Sequence, residues 1–188
     1  MIIKGFFFDL DGTLVDTHEA NFLAYQHATK VVKGVTLGDE LRREIKAGNN
    51  SQLFLPMLVP DITEQEAADI NTMKKQVYPD HLHMSKINEY LVTILRQLSG
   101  RHITALVTTA RRDNALAVLR HHDIENLFTF MIFGDDVEKM KPYPDAYNLA
   151  LEKSGLTSAQ TIAFEDSEKG IAAAEAAGIS AVRIKDFS

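Results

Sequence analysis

Cysteine is absent from this 188-residue chain, which excludes disulfides, thiol nucleophiles and Cys-ligated metals. Long apolar runs are absent as well. No stretch approaches the roughly 18–20 apolar residues of a membrane span, and Asp9 interrupts the one candidate near the N-terminus. That N-terminus also lacks a basic region and a cleavage site, so a cytoplasmic protein with no membrane partner is expected. Positive charge is in deficit: 20 Lys and Arg face 26 Asp and Glu, for a net charge of −6. No nucleic-acid partner is expected from such a balance. An anionic substrate remains compatible, because a local Lys or a bound divalent cation sets the potential of a pocket. Low-complexity segments and internal repeats are missing too. What remains is an ordinary globular composition, 45% hydrophobic and 24% charged. Its length suits one compact core, or one core plus a small inserted module.

The most informative segment is Phe8-Asp9-Leu10-Asp11-Gly12-Thr13-Leu14-Val15-Asp16-Thr17, which follows the apolar run Ile2-Ile3-Lys4-Gly5-Phe6-Phe7. The run reads as a buried strand and Gly12 as a turn. Two carboxylates at i and i+2, where a strand empties into a loop, can converge on one small volume. In an open parallel sheet that volume is the crevice outside the carboxyl ends of the strands. Three further signals stand at matching places. Ile103–Val107 is an apolar strand ending on the hydroxyls of Thr108 and Thr109. Lys141-Pro142-Tyr143-Pro144-Asp145 locks a Lys before a helical pattern, and Thr161–Phe164 is an apolar strand ending on Glu165 and Asp166.

Between the first and second of these strands the pattern turns helical. Ala20, Leu23, Ala24, His27 and Ala28 fall at helical spacing, as do Leu37, Leu41 and Ile45. Thr63 and Glu66 make a capping box before the next helix. The stretch 17–79 reads as an inserted helical module, with Asp16 and Thr17 as its hinge and Tyr78-Pro79 as the return to a core of 1–16 and 80–188. Helices are expected around Ser85–Leu98, Arg112–His121, Pro144–Ser154 and Ser167–Ala177. Strands are expected at Ile103–Val107, Phe130–Phe133, Ile162–Phe164 and Ala181–Ile184. Such alternation implies an α/β fold, a doubly wound parallel sheet with helices on both faces.

With these motifs in this order, the chain resembles the haloacid dehalogenase-like superfamily, most closely its phosphatase and phosphomutase branch. Asp9-Leu10-Asp11-Gly12-Thr13 is similar to the first family motif, Thr108 to the second, Lys141 to the third and Glu165-Asp166 to the fourth. The resemblance implies a Rossmann-like core with a helical cap and Mg²⁺-dependent phosphoryl transfer through an aspartyl-phosphate on Asp9. It implies that Mg²⁺ is held by Asp9, the backbone carbonyl of Asp11, and Asp166. Glu165 is either an outer-shell ligand or an orienting carboxylate. Asp11 is implied as the general acid and base, and an Asp there favours phosphate esters over the dehalogenase and phosphonatase branches. Thr108 would donate to a phosphoryl oxygen, aided by backbone N–H groups of Asp11 and Thr109. Lys141, preferred over Lys139 by the Lys-Pro-x-Pro-Asp pattern, would pair with Asp9 and the phosphate. Asp145 is expected to cap or orient the next helix.

Mutases of the β-phosphoglucomutase type carry a His shortly after the first motif and an Arg in a cap loop. Here the positions read Asn21, with His18 three residues away, and Gly48-Asn49-Asn50-Ser51-Gln52, without an Arg. Arg42, Arg43 and Lys46 precede that loop and face either the substrate or solvent; Arg42 and Asn49 are the candidates for substrate contact. A phosphatase acting on a small-molecule phosphate ester is therefore the expected function, as a monomer or weak dimer. The phosphomutase is the alternative. A receiver-type signalling module would share acids, a Thr and a Lys at strand ends, but it has no inserted cap. The seven His residues show no metal-ligand spacing.

Overall fold

The structure is a computed structural model and describes residues 2–185 and residue 187. The chain divides into two compact units, Met1–Asp16 with Lys86–Ser188, and Thr17–Ser85. The first opens with β1 (Gly5–Phe8) and β2 (Val15–Asp16). The second holds α1 (His18–Lys33), α2 (Asp39–Lys46), α3 (Ser51–Leu58) and α4 (Glu64–Val77), then 3₁₀ turns over Tyr78–Met84. The first unit resumes with β3 (Lys86–Ile87), α5 (Glu89–Leu98), β4 (Ile103–Val107), α6 (Arg112–His121) and β5 (Phe130–Ile132). It closes with α7 (Asp145–Ser154), β6 (Thr161–Glu165), α8 (Glu168–Ala176) and β7 (Ser180–Arg183).

Five parallel strands form the main sheet in the order β5-β4-β1-β6-β7. β1 is central, so both its faces are covered, which is why it reads as a continuous apolar run rather than an alternating one. Phe7 and Phe8 are fully buried on opposite faces. Phe7 meets Phe130 edge-on at 6.2 Å, and Phe8 stacks on Phe164 at 4.7 Å. From β1 the chain steps to β4 and β5 on one side, then returns to β6 and β7 on the other. That reversal places the crevice at the carboxyl ends of β1, β4 and β6.

The Thr63–Glu66 capping box forms, with Glu66 N–H donating to Thr63 Oγ1 at 3.2 Å and Thr63 N–H to Glu66 Oε2 at 2.8 Å. The core of the second unit is Phe22, Ala28, Leu37, Leu41, Phe54, Leu55, Val59 and Ile70, drawn from all four helices and, for Leu37 and Val59, from the connections between them. One boundary is corrected. The return to the first unit lies at Lys86, not at residue 80, because the turns over Tyr78–Met84 still belong to Thr17–Ser85 and bury Tyr78 and Leu82 there. The helix expected from Ser85 likewise begins only at Glu89. Lys86–Ile87 instead pairs antiparallel with Val15–Asp16, and Asn88 caps α5 by accepting from Leu91 N–H at 3.1 Å.

Candidate active site

Asp9 stands one residue beyond β1, and its N–H donates to Phe164 O at 3.0 Å, extending the β1–β6 pairing. The loop that follows is tightly wound: Leu10 O accepts from the N–H groups of Thr13, Leu14 and Val15 at 3.3, 2.9 and 3.0 Å. Leu10 is thereby buried, while Asp9 and Asp11 flank it. Gly12 has a φ of 82°, a left-handed backbone that glycine adopts without strain. A Cβ there would also collide with the Asp166 carboxylate. Gly12 thus lets the first loop approach the end of β6. Thr13 Oγ1 closes the approach with a 3.2 Å hydrogen bond to Asp166 Oδ1.

Lys141 is the buried cation of the site, its side chain 4% exposed. Nζ donates to Asp9 Oδ1 at 2.6 Å, Glu165 Oε1 at 2.6 Å and Val107 O at 2.7 Å. An ammonium has three N–H donors, and all three are engaged within the protein. Burial alone would lower the Lys141 pKa, but Asp9 and then Glu165 outweigh it and hold the group above its usual value. Lys139, the competing residue, is exposed, with Nζ 5.3 Å from the Tyr143 ring.

Glu165 is fully buried. Its Oε1 accepts from Lys141 and from the Tyr147 hydroxyl at 2.5 Å, and its Oε2 has no hydrogen-bond partner among the described residues. Burial, then the Asp9 charge, raises its pKa against the pull of Lys141. Burial and Asp9 likewise raise Asp166. Three carboxylates facing one ammonium leave negative charge without compensation. One oxygen each from Asp9, Glu165 and Asp166 lies within 4.8 Å of the others. A hard divalent cation that keeps several waters suits this all-oxygen set, and the orphaned Glu165 oxygen argues for a cationic neighbour.

Thr108 is buried at the end of β4, and its Oγ1 accepts from Ala110 N–H at 3.0 Å. Thr109 is exposed and Asp11 half-buried in their loops. Arg42 and Asn49 lie in the second unit and are engaged there. The Arg42 guanidinium sits 3.6 Å from the centroid of the Phe22 ring and pairs through both terminal nitrogens with Glu19. Asn49 Nδ2 donates to Glu44 Oε2 at 2.8 Å. Asp145 is the first residue of α7 rather than its cap, since Pro144 occupies the N-cap position.

Sequence reasoning missed Tyr147 and, although Gly170 stands in the segment that carries the family resemblance, assigned it no role. Tyr147 sits among the apolar residues of an expected helix, where an aromatic ordinarily reads as core. Its hydroxyl nevertheless finds the charged site, as buried Tyr hydroxyls usually find a partner. A Cβ on Gly170 would overlap the Glu165 carboxylate. The Gly at that position in an Ala-rich helix was the available signal.

Residues 6–184 match the family described as haloacid dehalogenase-like hydrolase. The chain is 33% identical over 181 residues to the phosphorylated carbohydrates phosphatase of Thermotoga maritima, covering 93% of this chain and 82% of that protein. It is 29% identical over 186 residues to the fructose-1-phosphate phosphatase YqaB of Escherichia coli strain K12, covering 96% of each. The crystal structure of CbbY from Rhodobacter sphaeroides in complex with phosphate superposes with a TM-score of 0.83 at 26% identity, over 99% of this chain and 88% of that one.

Proposed function

The chain belongs to the haloacid dehalogenase-like hydrolases and is a phosphoric monoester hydrolase, and from that premise we propose that it hydrolyses small phosphorylated metabolites, sugar phosphates first among them, in a Mg²⁺-dependent reaction on Asp9. The observation that carries this reading is the buried Asp9–Lys141–Glu165 triad beside Asp166. Lys141 holds one oxygen of Asp9, which fixes the carboxylate and leaves its other oxygen to attack phosphorus. The P–O bond to the leaving group breaks as the Asp9 oxygen bonds to phosphorus, and Asp11 gives its proton to the departing alkoxide. Asp11 then takes a proton from water, whose oxygen attacks the phosphorus of the aspartyl-phosphate and releases inorganic phosphate and free Asp9.

Lys141 serves by charge, since its donors are already engaged; it offsets the repulsion between a carboxylate and a phosphate dianion. Thr108 and the Thr109 N–H hold phosphoryl oxygens. Asp9, Asp166 and the Asp11 carbonyl would hold Mg²⁺, with Glu165 behind them. The ion supplies charge neutralisation of the phosphoryl oxygens. Arg42 and Asn49 are assigned to substrate choice. The mutase alternative is disfavoured because residues 48–52 contain no Arg.

A panel of phosphate esters, assayed after exhaustive metal removal and again with Mg²⁺ restored, tests the reading. Turnover should vanish without the ion and return with it. Full turnover in excess chelator would exclude it, and conversion of a sugar 1-phosphate to its isomer without phosphate release would favour the mutase.

A further inference from the structure

The turn between β4 and α6 carries Thr108 and Thr109, and the end of β5 with the segment after it ties the turn down at three successive points. Thr108 N–H donates to Ile132 O at 3.0 Å, prolonging the β4–β5 ladder by one step. Gly134 N–H donates to Ala110 O at 2.9 Å, and Arg112 N–H donates to Asp135 Oδ2 at 2.9 Å. Within the turn, the Ala110 N–H bond to Thr108 Oγ1 sets the orientation of that hydroxyl. Thr109, between these tied residues, has an N–H with no hydrogen-bond partner among the described residues.

Two details show why these particular residues hold the turn. Helices ordinarily take an N-cap from Ser, Thr, Asp or Asn, but the N-cap residue of α6 is Arg111, whose side chain makes no cap bond. Asp135 supplies the missing acceptor from a separate segment, with its carboxylate at the positive end of the helix. Gly134 packs its backbone directly on the turn. A Cβ there would overlap the Thr109 carbonyl oxygen and lie 3.0 Å from its carbon. Asp136 steadies this brace, with Oδ2 accepting from Phe133 N–H at 2.9 Å and Oδ1 from Arg112 at 2.7 Å.

We propose that Gly134 and Asp135 are positioning residues for phosphoryl binding, holding the Thr108–Arg112 turn so that the Thr108 hydroxyl and the Thr109 N–H are aimed before substrate arrives. Preorganised donors of this kind need no rearrangement during reaction, and small displacements of them are costly. Neither residue touches the substrate. The inference rests on the reading of Thr108 and Thr109 as phosphoryl ligands.

The test uses Asp135→Ala, Asp135→Asn, Gly134→Ala and Thr108→Ala, with the Asp135→Ala/Thr108→Ala double variant. Each is assayed with an aryl phosphate for kcat and KM, with inorganic phosphate for its inhibition constant, and by thermal melting. Asp135→Ala should lower kcat about tenfold and weaken phosphate inhibition by a similar factor, and Gly134→Ala should cost about 10²-fold. Melting should move little with Asp135→Ala, because the side chain is 44% exposed. Asp135→Asn keeps an acceptor for Arg112 while dropping the charge that faces Arg111 Nε at 3.8 Å, so it should retain most activity. In the Thr108→Ala background the Asp135→Ala loss should shrink, as expected of residues acting through one another. Wild-type kcat and phosphate inhibition in Asp135→Ala overturn the proposal, as does the same fold-loss in both backgrounds. If Thr108→Ala is impaired and Asp135→Ala is not, only the positioning role fails. If Thr108→Ala itself turns over normally, the phosphoryl-ligand reading fails and takes this proposal with it.

Discussion

Each unit of this protein contains a lysine–carboxylate pair with an N–O distance near the lower limit for such contacts, and the two pairs differ mainly in burial. Lys141 meets Asp9 and Glu165 at 2.6 Å with side-chain exposures of 4%, 10% and 1%. In the helical unit, Lys33 meets Glu66 at 2.7 Å with exposures of 24% and 29%. Water screens the second pair and lets each partner stand alone at little cost. It cannot do so for the first, where a lost partner strands a charge in a low-dielectric interior. The same contact is therefore a screened helix-end fastening in one unit and, on the function proposed above, an organiser of chemistry in the other.

The largest expected effect comes from the acids of the first loop. Asp9→Asn should abolish both turnover and any acid-labile phosphoprotein. Asp11→Asn should cost roughly 10²–10⁴-fold in steady-state rate. With an aryl phosphate, whose leaving group needs little protonation, it should still give a burst of about one aryl alcohol per site, because only the second step needs a base. Rapid-quench measurement with radiolabelled substrate decides this, and a burst-free variant without phosphoprotein would count against the covalent route.

Next in size is Lys141→Ala, which leaves Asp9 and Glu165 buried without their cation. Activity should be almost lost, and chemical denaturation should show a loss of about 3–5 kcal/mol. Lys139→Ala should match the parent in both. Equal behaviour of the two variants would erase the contrast between buried and exposed lysines.

Arg42→Ala should leave aryl phosphate hydrolysis close to the parent while changing the ranking of sugar phosphates, measured as kcat/KM across the panel. A uniform loss would mean that Arg42 acts in the chemical step.

The smallest effect belongs to the surface pair and is visible through pH. The Lys33 hydrogen bond, with help from the Thr63 backbone, lowers Glu66 from the ordinary 4.5 to about 2. A carboxyl depressed on folding binds fewer protons in the native state, so its contribution is present above about 4.5 and is lost as pH falls toward 2. Lys33→Met should flatten the decline of melting temperature with acid in that window and leave kcat unchanged. An unaltered acid profile would show that the pair contributes nothing in solution.

Much of this was legible in the chain itself. The apolar runs ending on Asp9, Thr108 and Glu165-Asp166 announced strands that deliver polar groups to one end of the sheet, and the Thr63–Glu66 capping box formed as its spacing implied. These signals are local, set by residue type over a few positions. What the tertiary structure decided is which groups meet. That all three Lys141 donors are engaged, that Tyr147 reaches Glu165, that Arg42 rests on Phe22 and that Asp135 caps a helix it does not belong to depend on residues 18 to 132 positions apart. Of these, only the Lys141–Asp9 pairing was implied by the motif resemblance; periodicity and spacing carry no information on the rest, which sheet order and the exclusion of water create.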